Sequence, residues 1–103
     1  EQQAGRAPER IDGFTIGAPR IKGDAPHDGE KHPDGDEVLF LISGAVTVTL
    51  ELADGDRLVE LGAGEAVVVP KGVWHKITMR DPGQLIHITP GPNGDARPLV
   101  RPA

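Results

Sequence analysis

A chain of 103 residues makes one domain with a single modest core. Its formal net charge of -5, with no run of Lys and Arg, excludes a phosphate-binding surface, so no nucleic-acid partner is expected. The absence of cysteine excludes disulfides, thiolate metal sites and cysteine nucleophiles, and no apolar run approaches the roughly 20 residues of a membrane helix, so no membrane partner is expected either.

Residues 1–10 are polar, lack periodicity and read as a flexible N-terminal tail. No basic region followed by an apolar stretch marks a signal peptide, which makes the cytoplasm the expected location. Residues 11–16 predict a short strand, with Phe14 and Ile16 on one face and Thr15 on the other. After a Gly-Ala-Pro interruption, residues 20–22 form a second short extended piece that runs into the Gly- and His-containing segment 23–36.

The pattern sharpens from residue 37. Glu37, Leu39 and Leu41 share one strand face; Val38, Phe40 and Ile42 share the other, and a strand apolar on both faces is expected to be covered on both, inside a barrel and against another sheet or subunit. Ser43 and Gly44 predict a break. Residues 45–51 then alternate, with Val46, Val48 and Leu50 inward. Asp54-Gly55 predicts a hairpin turn, because Asp and Gly tolerate its positive φ angles, and residues 57–61 return. Residues 66–69 are an apolar strand ending at Pro70. Residues 73–79 alternate so that Val73, His75, Ile77 and Met79 share a face, Asp81-Pro82-Gly83 predicts a turn, and residues 85–89 form a last strand. Residues 91–103 are expected to lie extended over the surface as a C-terminal tail. Short, closely spaced strands without a helix make residues 11–90 a small all-β sandwich or barrel.

One constellation carries chemistry. Glu30 and His32 are two apart and face the same way in an extended chain. His32 and Glu37 have an odd separation, but Pro33-Asp34-Gly35-Asp36 favours a reversal, which makes them neighbours across a bend. His75 occupies the corresponding place in the second half, just past the turn at residues 70–72. Imidazoles and carboxylates inside an apolar barrel suit a divalent transition metal (Fe, Mn, Zn or Ni) better than calcium.

These residues resemble the two motifs of the cupin superfamily. The first motif is His-x-His, three or four residues, Glu, six residues, Gly, and here it reads Glu30-x-His32, four residues, Glu37, six residues, Gly44. The second is Gly, five residues, Pro-x-Gly, two residues, His, three residues, Asn, and here it reads Gly64, Pro70-x-Gly72, His75 and Met79 at those spacings. The resemblance covers residues 30–79 and implies a small antiparallel β-barrel of the jelly-roll type. It carries His32, Glu37 and His75 over as metal ligands. Glu30 stands where the family has its first histidine and carries over by position, as a fourth ligand or as a base on a bound molecule. Asp24 stands where the family has Gly, and Met79 where it has Asn.

Other residues have plainer expected roles. Asp34 and Asp36 read as turn residues, and Trp74 as packing between sheets or at a dimer interface. His27 reads as loop surface, although an irregular backbone would let it replace Glu30 as ligand, and His87 reads as facing solvent, with a pocket acid–base as the alternative. Arg20, Arg57 and Arg80 read as surface charge.

The resemblance implies a metal-dependent enzyme of dioxygenase, isomerase or cyclase type acting on a small oxygen-bearing molecule. The absence of Cys and Tyr excludes a thioether-crosslinked thiol dioxygenase and a Tyr-dependent epimerase. The alternative is a non-catalytic module that binds a small molecule, with the metal as anchor or absent. The doubly apolar strand at 37–42 predicts a homodimer.

Overall fold

The computed structural model of the protein describes residues 9–11, 13–25 and 27–99. The tails expected at 1–10 and 91–103 therefore fall outside the described residues at 1–8 and 100–103. Among the described residues the fold is all-β, and no helix is long and apolar enough to cross a membrane. Its strands are β1 (Glu9–Ile11), β2 (Phe14–Gly17), β3 (Arg20–Ile21), β4 (Glu30–Lys31), β5 (Glu37–Leu52), β6 (Gly55–Leu61), β7 (Ala66–Val69), β8 (Trp74–Pro90) and β9 (Asp95–Ala96).

Two long antiparallel strands, β5 and β8, form the frame. Their first stretch of pairing joins Val38–Leu41 to Leu85–Ile88, with β2 on the far side of β8 and β7 on the far side of β5. Their second stretch joins Val46–Glu51 to Trp74–Met79, with β6 beyond β5, and β4 and then β9 beyond β8. The result is the two-layered antiparallel barrel of a jelly roll. Leu39, Leu41, Val69 and Leu85 from the first layer meet Val46, Val48, Leu50 and Leu61 from the second in one buried core.

The breaks expected at Ser43-Gly44 and at residues 81–83 are not chain reversals. Both strands run through, and the ladder slips at Leu41/Ser43, Ser43/Ala45 and Ala45/Val46. The inward residues of β5 are odd-numbered up to Leu41 and even-numbered from Val46, and an unbroken ladder cannot change parity. The bulge supplies the missing step. It requires glycine on both strands: Gly44 has φ 88°, and a Cβ on Gly83 would lie 1.9 Å from the Ser43 carbonyl oxygen.

The short strand expected within residues 11–16 forms as β2, in a hairpin with β1. Within this chain the strand at 37–42 is covered on its Leu39 and Leu41 face, whereas Phe40 and Ile42 are 36% and 42% exposed, the face expected to meet another sheet or subunit. The hairpin at Asp54-Gly55 forms as expected, and Val46, Val48 and Leu50 point inward.

The segment after Pro90 adds to the barrel. β9 pairs with β4, the Asn93 backbone N–H and side-chain amide donate to Asp34, and Arg97 exchanges backbone hydrogen bonds with Asp28 and Gly29. The Arg97 guanidinium pairs with Glu51 and lies 4.2 Å from the centre of the Trp74 ring, against which Lys31 also rests. Trp74 is thus packed by cations on the barrel's flank. Asp24 and Met79, which depart from the cupin pattern, meet each other: Asp24 accepts the Met79 backbone N–H at 2.8 Å.

Candidate metal centre

The two halves of the sequence pattern converge inside the barrel. Glu30 lies on β4 directly opposite His75 on β8, Glu37 opens β5, and His32 follows β4. Backbone bonds hold the halves together, since Gly72 N–H donates to the His32 carbonyl and Lys71 N–H to Asp36. Asp34 and Asp36 are in the expected turn, but each also binds a distant segment.

Glu30, His32 and His75 each present a ligand atom, all within 4.8 Å of one another. Glu37 joins them, with one oxygen 2.8 Å from His75 Nε2 and the other 3.5 Å from His32 Nε2. The two imidazole rings are 5.4 Å apart between centroids and inclined at 51°. His32, Glu37 and His75 are buried, at 8%, 4% and 3% exposure.

The hydrogen-bonding pattern indicates what this cluster can hold. His75 Nδ1 lies 3.1 Å from the Val73 carbonyl oxygen, which can only accept, so Nδ1 carries the proton and Nε2 of the neutral ring carries a lone pair. That lone pair faces Glu37 Oε1, which has no hydrogen-bond partner of its own. Two lone pairs 2.8 Å apart need a cation between them. A proton can serve: burial disfavours a charged His75, but Glu37, the Val73 carbonyl and Glu30 outweigh burial and raise its pKa above the ordinary value. A metal ion can serve equally. Neither nitrogen of His32 has a hydrogen-bond partner, which a buried imidazole does not ordinarily tolerate. The donor set of two imidazoles and two carboxylates therefore fits a divalent transition metal.

The flanking residues hold these donors in place. Gly29 N–H donates to His27 Nδ1, so the His27 Nε2–H faces Glu30 Oε2 at 3.1 Å. The nearby His32 imidazole, against the opposing effect of burial and with help from His27 and His75, holds Glu30 below its usual carboxylate value. Thr89 donates its hydroxyl to Glu37 Oε2 at 2.6 Å, and His87 Nδ1 lies 2.7 Å from the same hydroxyl. Burial pushes the His87 pKa down, against the pull of Glu37 and Glu30, so its ring is neutral at pH 7.

The site opens into a cavity of about 370 Å³, whose apolar wall includes Leu39, Ile77 and Leu85. His27 and His87 both line it, which departs from their surface reading and agrees with the alternative of a place at the site. Thr89 and Lys76 line it too and were missed, for different reasons. Thr89 is two residues from His87 and so shares its face, but the register of the last strand was not legible and a lone threonine gives no signal. Lys76 alternates with His75, yet its long side chain reaches the mouth and pairs with Asp28 at 3.3 Å.

Residues 21–90 match the cupin domain family Cupin_2. An acireductone dioxygenase from Bacillus thuringiensis subsp. konkukian (strain 97-27) is 37% identical over 60 residues, which is 57% of this chain and 35% of that protein. The chain thus spans about a third of that relative's length. A cupin-2 domain protein from Shewanella frigidimarina has a similar structure (TM-score 0.65, 26% identity, 82% of this chain and 78% of the other). So does oxalate decarboxylase from Bacillus subtilis, studied for its Mn(II) centres (TM-score 0.66, 17% identity, 88% of this chain and 30% of the other). At that last identity the likeness concerns the fold alone.

Proposed function

The chain belongs to the cupin domain family, and from that membership we propose that it is a metal-dependent enzyme acting on a small oxygen-bearing molecule inside the barrel. The observation that carries this reading is the pair of facing lone pairs on His75 Nε2 and Glu37 Oε1, beside a buried His32 with no hydrogen-bond partner. His32, Glu37 and His75 hold the ion, and Glu30 completes the set. A carboxylate whose pKa is lowered is a poor proton acceptor, so ligation suits Glu30 better than a base role. A bound divalent ion supplies Lewis acidity toward a substrate oxygen and, if redox-active, an electron source.

The protein's own residues do the rest. The Val73 carbonyl keeps His75 in its ligating tautomer, His27 orients Glu30, and Thr89 orients Glu37. Leu39, Ile77 and Leu85 give a bound molecule an apolar wall and reduce its contact with water. The partial likeness to an acireductone dioxygenase supports oxygenase-type chemistry ahead of isomerase or cyclase types.

The protein also pairs with a second copy in this reading. Ile16, Ile88, Val38 and Val68 form a row across β2, β8, β5 and β7 on the outer face, next to Phe40 and Ile42. An apolar sheet face of this breadth is a natural dimer surface.

Elemental analysis of purified wild type and His75→Ala tests the metal assignment. About one metal per chain is expected in wild type and a small fraction of that in the variant; equal contents would sink it. Anaerobic reconstitution followed by oxygen or substrate consumption separates an enzyme from a binding module, which would bind its ligand without turnover.

A further inference from the structure

The cavity has a second polar pole that the metal reading does not use. Glu37 Oε2 receives the Thr89 hydroxyl proton, so the Thr89 oxygen has only lone pairs left for His87. The 2.7 Å contact from His87 Nδ1 to that oxygen is therefore an N–H donated by histidine. A neutral His87 with its proton on Nδ1 leaves a lone pair on Nε2. The sequence makes room for this ring: a Cβ on Gly17, the residue opposite His87 on β2, would lie 2.4 Å from Nε2. Gly17 does not have a positive φ, so its glycine is explained by space for the imidazole and not by backbone conformation.

We propose that His87 is a substrate-specificity residue, a hydrogen-bond acceptor locked by Thr89, so that the cavity selects a small molecule carrying a hydroxyl or N–H close to its metal-facing oxygen. The Thr89 hydroxyl links His87 Nδ1 to Glu37, Nε2 lies across the same ring, and His87 and Glu37 line one cavity, so a single small molecule can span both poles. The assignment rests on the cavity of the proposed function being the substrate site. A compound that binds the metal but lacks the donor would leave Nε2 buried and unpaired, and is disfavoured on that account.

Two measurements test this. In the metal-free full chain at about pH 8, where histidines of ordinary pKa are neutral, nitrogen-15 NMR reports the His87 tautomer. Wild type is expected to carry the proton on Nδ1, and Thr89→Val to shift toward the Nε2–H form that free histidine favours. A wild-type His87 protonated on Nε2 overturns the proposal whether or not metal binds. The second measurement titrates the Mn(II)-loaded chain with glycolate and with methoxyacetate, in which a methyl group replaces the donated proton. His87→Phe is expected to weaken glycolate about fivefold, the size of one net hydrogen bond, and to leave methoxyacetate unchanged at unaltered manganese content. Gly17→Ala, which keeps the imidazole but displaces it, is expected to do the same. Equal weakening of both probes, or of neither, overturns the proposal. Failure of wild type to take up manganese would instead sink the metal reading, and the tautomer result would stand by itself.

Discussion

His75 and Glu37 compete for one cation, and this makes the centre sensitive to pH in a definite direction. In the metal-free chain the pKa of His75 is raised above the ordinary 6.5. The stability it contributes is fully present below that value and is lost as pH rises through the raised folded value. Glu30 behaves in the opposite sense: its pKa is lowered from 4.5, so its contribution is present above 4.5 and lost as pH falls through the lowered folded value. The metal-free Tm advantage of wild type over His75→Gln is therefore expected to be widest at mildly acidic pH and to narrow on going alkaline, as read by calorimetry. An advantage that grew with pH would contradict the lone-pair account. Metal must displace the same proton, so affinity for Mn(II) or Zn(II) is expected to rise with pH over the range in which that proton leaves. His32, Glu37 and His75 were legible because motif spacing survives any loop geometry. The roles of His27 and His87 were not, because the near neighbour each one binds, Gly29 for one and Thr89 for the other, is itself held by a distant segment, Arg97 and Glu37 respectively.

The bulge where β5 crosses β8 and the strap formed by residues 91–97 both shape the site from a distance. The bulge changes the parity of β5, and this lets Glu37 and Leu39 face the same interior as Val48 and Leu50. Gly83→Ala places a Cβ against the Ser43 carbonyl, where rigid backbone cannot yield, and is expected to cost about 3 kcal/mol or more in chemical denaturation. Stability within about 0.5 kcal/mol of wild type would show that the crossing is looser than described. The strap lies past the stretch matched to the family and grips the 28–34 segment from both ends. Its Gly94 presses on the site itself, since a Cβ there would lie 2.9 Å from His32 Nδ1. On the proposed metal reading, Gly94→Ala is expected to weaken metal binding by about tenfold, with Tm of the metal-free chain little changed, by tilting the ring whose other nitrogen would ligate. Unchanged affinity in a competition titration would remove the strap from the account of the site.

Among the described residues, a broad sheet face is left uncovered. Phe40 and Ile42 are among its exposed large apolar side chains, together with Phe14, Ile16 and Val68 of the neighbouring strands. A dimer through this face is expected to run as twice the chain mass in light scattering at micromolar concentration, and Phe40→Lys with Ile42→Glu is expected to yield a monomer that keeps its metal. A wild-type monomer under those conditions would refute the pairing.

The sequence by itself determined the class of fold and the cluster of candidate residues His32, Glu37 and His75, because alternation, turn chemistry and motif spacing are local properties that neighbouring residues settle among themselves. It also placed Glu30 beside His32. Only the tertiary structure decided that the two apparent turns at residues 43–44 and 81–83 are one bulge, since two strands must cross to make it. It likewise decided that His27 and His87 line the cavity and that the C-terminal segment holds the strand that carries Glu30. Each of those facts rests on a hydrogen bond between segments far apart in the chain, and such partners become neighbours only when the barrel closes.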